Sequence, residues 1–417
     1  LLMEEAAAPV RRDGAVVWER RTTEATRFYG LGDRPDPAVN LRGKRVEALR
    51  ALLISSAGFG EFHSASAKYT FELNDRYRVE GNGASEVDDY FFYGPTPKEI
   101  LEQYMLVTGP IARLSPADYQ VPAREIRNDA TKQPAPAKPS WDALAESVRR
   151  LINGGISATI LPVFDLGPWR DAPEPLRTRA MQVASVTPIV AGGALRNTIR
   201  NRLGFYFVTY GEEARDRGFP FIRAMPMQYS RDAEAANSAD QFMFGDELLA
   251  APMLGPSNRR MVYLPMGIWT NLKTNEIHKG RQTIAVEAGP DELPLFSRNG
   301  AIVPLGQSPT ELHYFPKLGG EFFLFESDLL EYSQVHASPA GVFYRFEIES
   351  KKDREYEWVV HHFDRPAGVA VGSREYTRVN SRVQLRPGTW YYDAALKNFH
   401  LRARVVAGED HIANVRF

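Results

Sequence analysis

The chain contains no cysteine. That excludes disulfide staples and thiolate-held metals, and it leaves the compartment undetermined, because an exported chain can also lack cysteine. Charge of one sign is missing too. Lys and Arg number 51 against 52 Asp and Glu, a net of −1, so no overall field draws the chain to nucleic acid or to an anionic membrane. No basic run is interleaved with aromatics, as a nucleic-acid binder would need. No apolar run approaches the roughly 20 residues that span a bilayer, so no membrane partner is expected. Residue 1 is Leu and no signal-peptide pattern is visible; the expectation is a trimmed N-terminus with any targeting signal out of view. Gly-rich phosphate loops, a Ser nucleophile elbow and metalloprotease motifs are absent, and no cofactor is expected. His361 and His362, adjacent on an expected strand, point to opposite faces and cannot chelate one ion together, while His313 and His336 stand alone. No metal site is expected.

What is present is apolar mass and aromatic rings. The 417 residues are 43% hydrophobic, enough for a sizeable core and about two to four domains. Residues 1 to about 93 read as an antiparallel β-sandwich. Ala15-Val16-Val17-Trp18, Ala51-Leu52-Leu53-Ile54 and Tyr69 to Leu73 are short apolar or alternating runs between turn residues. Thr96-Pro97-Lys98-Glu99 is a capping box with proline at the first helical position. Ile100, Leu101, Tyr104, Met105 and Val107 follow on a helical period, and Gly109-Pro110 stops it. The proline-rich stretch Gln133 to Pro139 reads as a linker or surface loop.

Ser140 then caps a second helix whose apolar face is Trp141, Leu144, Val148, Leu151 and Ile152. Arg149 and Arg150 are placed in its last turn, and Asn153-Gly154-Gly155 closes it. Ile156 to Phe164 reads as a buried parallel strand ending in Asp165-Leu166-Gly167-Pro168-Trp169. Val183 to Val190 reads as another. One long helix carried by Leu195, Ile199, Leu203, Phe207 and Tyr210 follows, stopped at Gly218. Beyond residue 221 the pattern returns to β, with Arg260 to Pro265, Gln282 to Glu287, Ala301 to Leu305, Phe322 to Phe325, Phe343 to Glu349 and Tyr356 to His361 as strands. The expected fold is mainly β with an α/β part. It divides into an N-terminal β-sandwich (1–93), an α/β piece (94–225) and two C-terminal β-sandwich domains (226–310 and 311–417). A closed (β/α) barrel takes eight units and about 250 residues, which residues 94–225 cannot supply.

Six ordered segments carry a resemblance. They are Arg27-Phe28-Tyr29-Gly30-Leu31-Gly32-Asp33 with Asn40 to Lys44; Asp89 to Glu99; Ser140-Trp141-Asp142 through Phe164-Asp165-Leu166-Gly167; Asp240 to Gly245 with Leu249 to Leu254; Val262 to Pro265 with Gly267-Ile268-Trp269; and Pro294 to Leu305. In this order the chain resembles glycoside hydrolase family 31, the α-glucosidase and α-xylosidase family, from about residue 16 to about 310. The resemblance implies that residues 94–225 are a truncated (β/α) barrel fragment. It further implies an enzyme hydrolysing terminal α-glycosidic bonds of oligosaccharides by a retaining mechanism.

That mechanism needs two carboxyl groups roughly 5 Å apart at the C-terminal ends of barrel strands. The family's nucleophile motif, Trp-Ile-Asp-Met-Asn-Glu-like, has no counterpart here, and its strand is missing between about Gly109 and Arg127. The place of the acid/base motif holds Pro136-Ala137-Lys138-Pro139, and that of a pocket histidine holds Ala191-Gly192-Gly193. The catalytic residues are thus not identified. Asp165 matches the family aspartate that helps bind the sugar in the −1 site; it can equally cap the Leu166-Gly167 turn. Trp169 can stack on a sugar or fill the core. Asp129, read against its neighbours Arg127 and Gln133, is a solvated loop residue and not a displaced acid/base. Three readings stay open: a family 31 enzyme acting on an α-linked oligosaccharide, an inactive relative that binds carbohydrate or protein, with self-association over the open α/β fragment, and a rearranged gene product.

Overall fold

The computed structural model describes residues 9–64, 67–83, 88–119, 131–132, 134–193, 195, 198–306, 310–316 and 318–417. Arg127, Asp129 and Gln133 lie outside these residues.

Two antiparallel sheets open the chain. One has five strands in the order Val10–Arg12, Ala15–Arg21, Arg76–Asn82, Lys68–Leu73, Arg45–Glu47; the other pairs Phe28–Gly30, Leu52–Ser55, Phe59–His63 and Asp89–Tyr93. Tyr69, Phe71 and Leu73 alternate inward along their strand and meet Val16, Trp18, Phe28, Leu53, Tyr77 and Val79. Each such buried side chain stabilises by about 1.5–3 kcal/mol.

Helix α1 (Pro97–Thr108) starts where the capping box places it. Glu99 Oε2 accepts from the Thr96 amide at 2.9 Å, and Gly109, at φ 84°, ends it. Helix α2 (Trp141–Ile156) is capped by Ser140, whose hydroxyl accepts from the Ala143 amide at 3.1 Å. It does not close at Asn153-Gly154-Gly155. A Cβ on Gly155 would sit 2.0 Å from the Ile222 carbonyl oxygen, so this glycine serves close packing of helix on strand, not termination. Arg149 and Arg150 consequently fall mid-helix, and Arg150 donates to the Asp33 carbonyl at 2.9 Å.

Thr131–Lys132, Pro162–Asp165 and Ile189–Ala191 form a three-stranded parallel sheet. The strand expected at Val183 to Val190 is mostly not a strand. Val183–Ser185 is the last turn of α3 (Leu176–Ser185), held by Ser185 donating to Gln182 O and Thr187 donating to Val183 O. A short apolar run fits a buried helix as well as a strand, and here the helix won. The long helix expected next is two, α4 (Thr198–Arg202) and α5 (Gly204–Arg217), and Gly218 at φ 71° closes the second. At the break, the Arg200 guanidinium reaches the carbonyls of Tyr119, Thr187 and Pro188 at 2.6–2.8 Å.

Next comes a six-stranded antiparallel sheet, ordered Ile222–Arg223, Phe242–Phe244, Leu248–Ala250, Leu295–Arg298, Ile268–Asn271, Ile277–Lys279, with the ribbon Arg259–Leu264/Gln282–Glu287. Arg179 on α3 is 1% exposed and ties this region to the helix, donating to the carbonyls of Ala288, Gly289 and Glu292 and to Asn258 Oδ1 at 2.8–3.2 Å. Two further six-stranded sheets complete the chain, one starting at Ile302–Leu305 and the other at Gly320–Glu326.

The histidine expectations need correcting. The strand ends at Val360, so His361 and His362 lie in a turn, the latter at φ 50°. His313 does not stand alone: its Nδ1 lies 3.0 Å from His361 Nε2 and its Nε2 3.0 Å from Glu311. His313 lies on a strand parallel to the one that ends just before His361, and the two histidines are 48 residues apart, a pairing no local pattern announces. Most of the buried side chains, from Tyr29 to Val415, belong to one contiguous core. Among the described residues, no helix is long and apolar enough to cross a membrane.

Candidate functional site

In parallel sheets ligands bind beyond the carboxyl ends of the strands. Asp165 occupies that position on the middle strand, because the apolar Pro162–Phe164 run is buried and the chain turns immediately after it. Its Oδ1 accepts from the Gly167 amide at 2.8 Å, closing an Asx turn, and the Leu166 amide donates to Ala191 O at 2.8 Å. The neighbouring strand ends at Ala191 and is followed by Gly192 at φ 73°. A Cβ there would lie 2.1 Å from Asp165 Oδ1, so only glycine lets that turn pass over the carboxylate.

Trp169 is 2% exposed and stacks on Phe164 with ring centroids 6.2 Å apart. Most of the indole is packed in the core, and its remaining edge forms part of the wall of a cavity of about 230 Å³ with Leu166, Arg170, Met181 and Gly193. Among the described residues, no carboxylate lines that cavity. Asp165 and Trp169 are thus brought to one strand end, with one carboxyl group there among the described residues. One carboxylate can accept hydrogen bonds from sugar hydroxyls; double displacement needs two. Among the described residues, no cluster of three or more His, Asp or Glu has the arrangement of a metal site.

Residues 218–303 match the model of the glycosyl hydrolase family 31 C-terminal domain. The chain is a relative of glycoside hydrolase family 31. It is 24% identical over 290 residues to alpha-glucosidase 2 of Bacillus thermoamyloliquefaciens, covering 57% of this chain and 36% of that protein. It is 37% identical over 111 residues to an isomaltosyltransferase of Sporosarcina globispora, covering 26% and 10% respectively. The chain therefore spans about a third or less of the length of these curated relatives. Its fold is shared with a family 31 dextranase of Flavobacterium johnsoniae solved with isomaltotriose (TM-score 0.82, 15% identity, 98% of this chain and 86% of that one). It is shared too with the cycloalternan-forming enzyme of Listeria monocytogenes (TM-score 0.83, 14% identity, 96% and 66%).

The matched family 31 segment contains a charged cluster that sequence reasoning passed over. Gly245-Asp246-Glu247 joins two buried strands and reads locally as a turn. In the fold, the Asp246 carboxylate holds Lys98 and the fully buried Arg223, and Arg223 also holds Glu213. Burial works to raise Asp246, but Arg223 and Lys98 override it and keep the group well below the ordinary carboxylate range. Glu247 goes the other way. Burial first, and then the neighbouring Asp246 charge, push it up to about 7, although Tyr210 and Arg298 donate to it. Two adjacent carboxyls driven apart in this way resemble an acid/base pair. Arg223, which sets the difference, is 23 residues away in sequence, so only the fold reveals it.

Proposed function

We propose that this chain recognises α-linked oligosaccharides as a family 31 relative, with Asp165 accepting hydrogen bonds from a sugar in the −1 position and Trp169 shaping the wall behind it. The family reaction, retaining hydrolysis of terminal α-glycosidic bonds, is the ancestral activity in this reading, and the chain alone carries binding without turnover. The observation that supports this is that Asp165 is the one carboxylate found at the strand end among the described residues. The nucleophile and acid/base motifs have no counterpart in the sequence, and among the described residues the cavity next to Asp165 brings no second carboxyl. Residues 94–225 are, on this view, a truncated barrel remnant between the N-terminal sandwich (1–93) and two C-terminal β modules (226–310 and 311–417).

Titration calorimetry with maltose and isoprimeverose tests binding; loss of the strand-end component of the heat in Asp165→Ala is expected. p-Nitrophenyl α-glucoside and α-xyloside should not be turned over. Turnover abolished by Asp165→Ala, and by no change elsewhere, would replace this reading with the enzymatic one. Self-association over the parallel sheet is part of the proposal, and sedimentation velocity checks it: a strictly monomeric chain removes that part.

A further inference from the structure

A further cleft lies away from the strand end. It measures about 460 Å³ and lies between the C-terminal half of α5, the Asp246-Glu247 turn and the strand Gly320–Glu326. That volume falls within the range of about 300–1,000 Å³ typical of small-molecule sites. Gly320–Glu326 is the edge strand of its sheet. The Phe325 amide donates to Thr209 Oγ1 on α5 at 3.0 Å, so it points away from the neighbouring strand. With a period of two, the amides and carbonyls of Phe323 and Glu321 face the same outer edge, along the cleft.

The side chains agree with an open site. Phe323 is 42% exposed and Tyr332 stands edge-on to it, ring centroids 6.4 Å apart, giving an apolar platform at the cleft mouth. Glu321 is exposed beside it. Across the cleft, α5 contributes ions that already have partners: Glu213 with Arg223, Asp216 with Arg215, and Arg217 with Glu102. Counted with these partners, and with Asp246 on Lys98 and Arg223 and Glu247 on Arg298, the polar wall offers donors and acceptors together in near balance, Glu321 adding one further carboxylate. A phosphate would need a cationic surplus, and an organic cation an anionic one. A neutral polyhydroxyl ligand needs mixed donors and acceptors next to an aromatic face.

We propose that this cleft is a second carbohydrate-binding site, taking a neutral saccharide across Phe323 and Tyr332 with Glu321 and the strand edge as hydrogen-bond partners. The site shares the ligand class of the strand-end reading and none of its residues, so the two fail separately. Maltotriose is the probe, with saturation-transfer NMR for contact and calorimetry for affinity on the whole chain. Phe323→Ala and Glu321→Gln should each weaken binding by about tenfold, equivalent to about 1.4 kcal/mol, with unchanged thermal melts because both side chains are exposed. Asp165→Ala should leave this component intact. No saturation transfer, or an affinity unmoved by both cleft variants, would overturn the proposal. Binding lost only in Asp165→Ala would also overturn it, while supporting the strand-end site.

Discussion

Asp165 and the Asp246-Glu247 pair put carboxyl groups at the ends of strands in opposite ways. Asp165 is half-buried, and its Oδ1 accepts from a backbone amide two residues on. Glu247 is buried and Asp246 half-buried among side chains from α1, α5 and two strands of the six-stranded sheet. The Asx turn of the first is local, passing beneath a facing glycine. The second exists only when elements far apart in sequence have docked. Tertiary burial separates Asp246 and Glu247 in their affinity for protons.

The largest effect should come from removing the cation that organises the buried pair. Arg223→Ala leaves Asp246 and Glu213 without their buried partner and is expected to cost about 3–5 kcal/mol in urea unfolding. A loss no greater than that from a surface arginine would mean the cluster is solvated and the contrast false. The next test uses pH. Glu247 holds its proton up to about 7 in the folded chain, against an ordinary value of 4.5 unfolded. Between these values the folded state binds a proton that the unfolded state has lost, so this group's contribution to stability falls as pH rises through that window. Asp246 has the opposite sign: it contributes stability above its ordinary value of 3.8, and that contribution is lost as pH falls below it. Unfolding midpoints measured across that window should show a flatter decline in Glu247→Gln; an unchanged slope would count against a protonated Glu247.

Smaller effects belong to the strand end. Gly192→Ala combines a left-handed backbone with a clash against Asp165 Oδ1 and should cost about 1–3 kcal/mol. Asp165→Ala removes one partly buried acceptor and should cost about 1 kcal/mol, while Asp165→Asn keeps an acceptor for the Gly167 amide and should melt close to the parent. If Asn restores the melt but not saccharide binding, the carboxylate itself is needed for the ligand.

The same division explains what the sequence made legible. Thr96 with Glu99, Ser140, Gly109 and Gly218 act through backbone groups within a few residues, and each cap stands where the pattern places it. The alternation through Tyr69, Phe71 and Leu73 likewise declares an inward face. The failures involve distant partners. Gly155 looks like a helix stop until Ile222 is placed against it, and Val183 looks like a strand until α3 is seen to carry it. His313 and Glu247 are silent in sequence because their neighbours arrive from 48 and 37 residues away. Asp165 was legible as a strand-end carboxylate because the Asx turn at that carboxylate closes within two residues.

Arg179 bears on what counts as a portable unit in this protein. The family match runs from residue 218 to 303, yet the carbonyls of Ala288, Gly289 and Glu292 inside it are satisfied from α3, outside it. A segment excised at the limits of sequence similarity would lose that donor along with the helix covering it. Transplanting the β module between relatives therefore requires moving the Leu176–Ser185 helix with it: the heritable sequence block and the mechanically complete block have different edges.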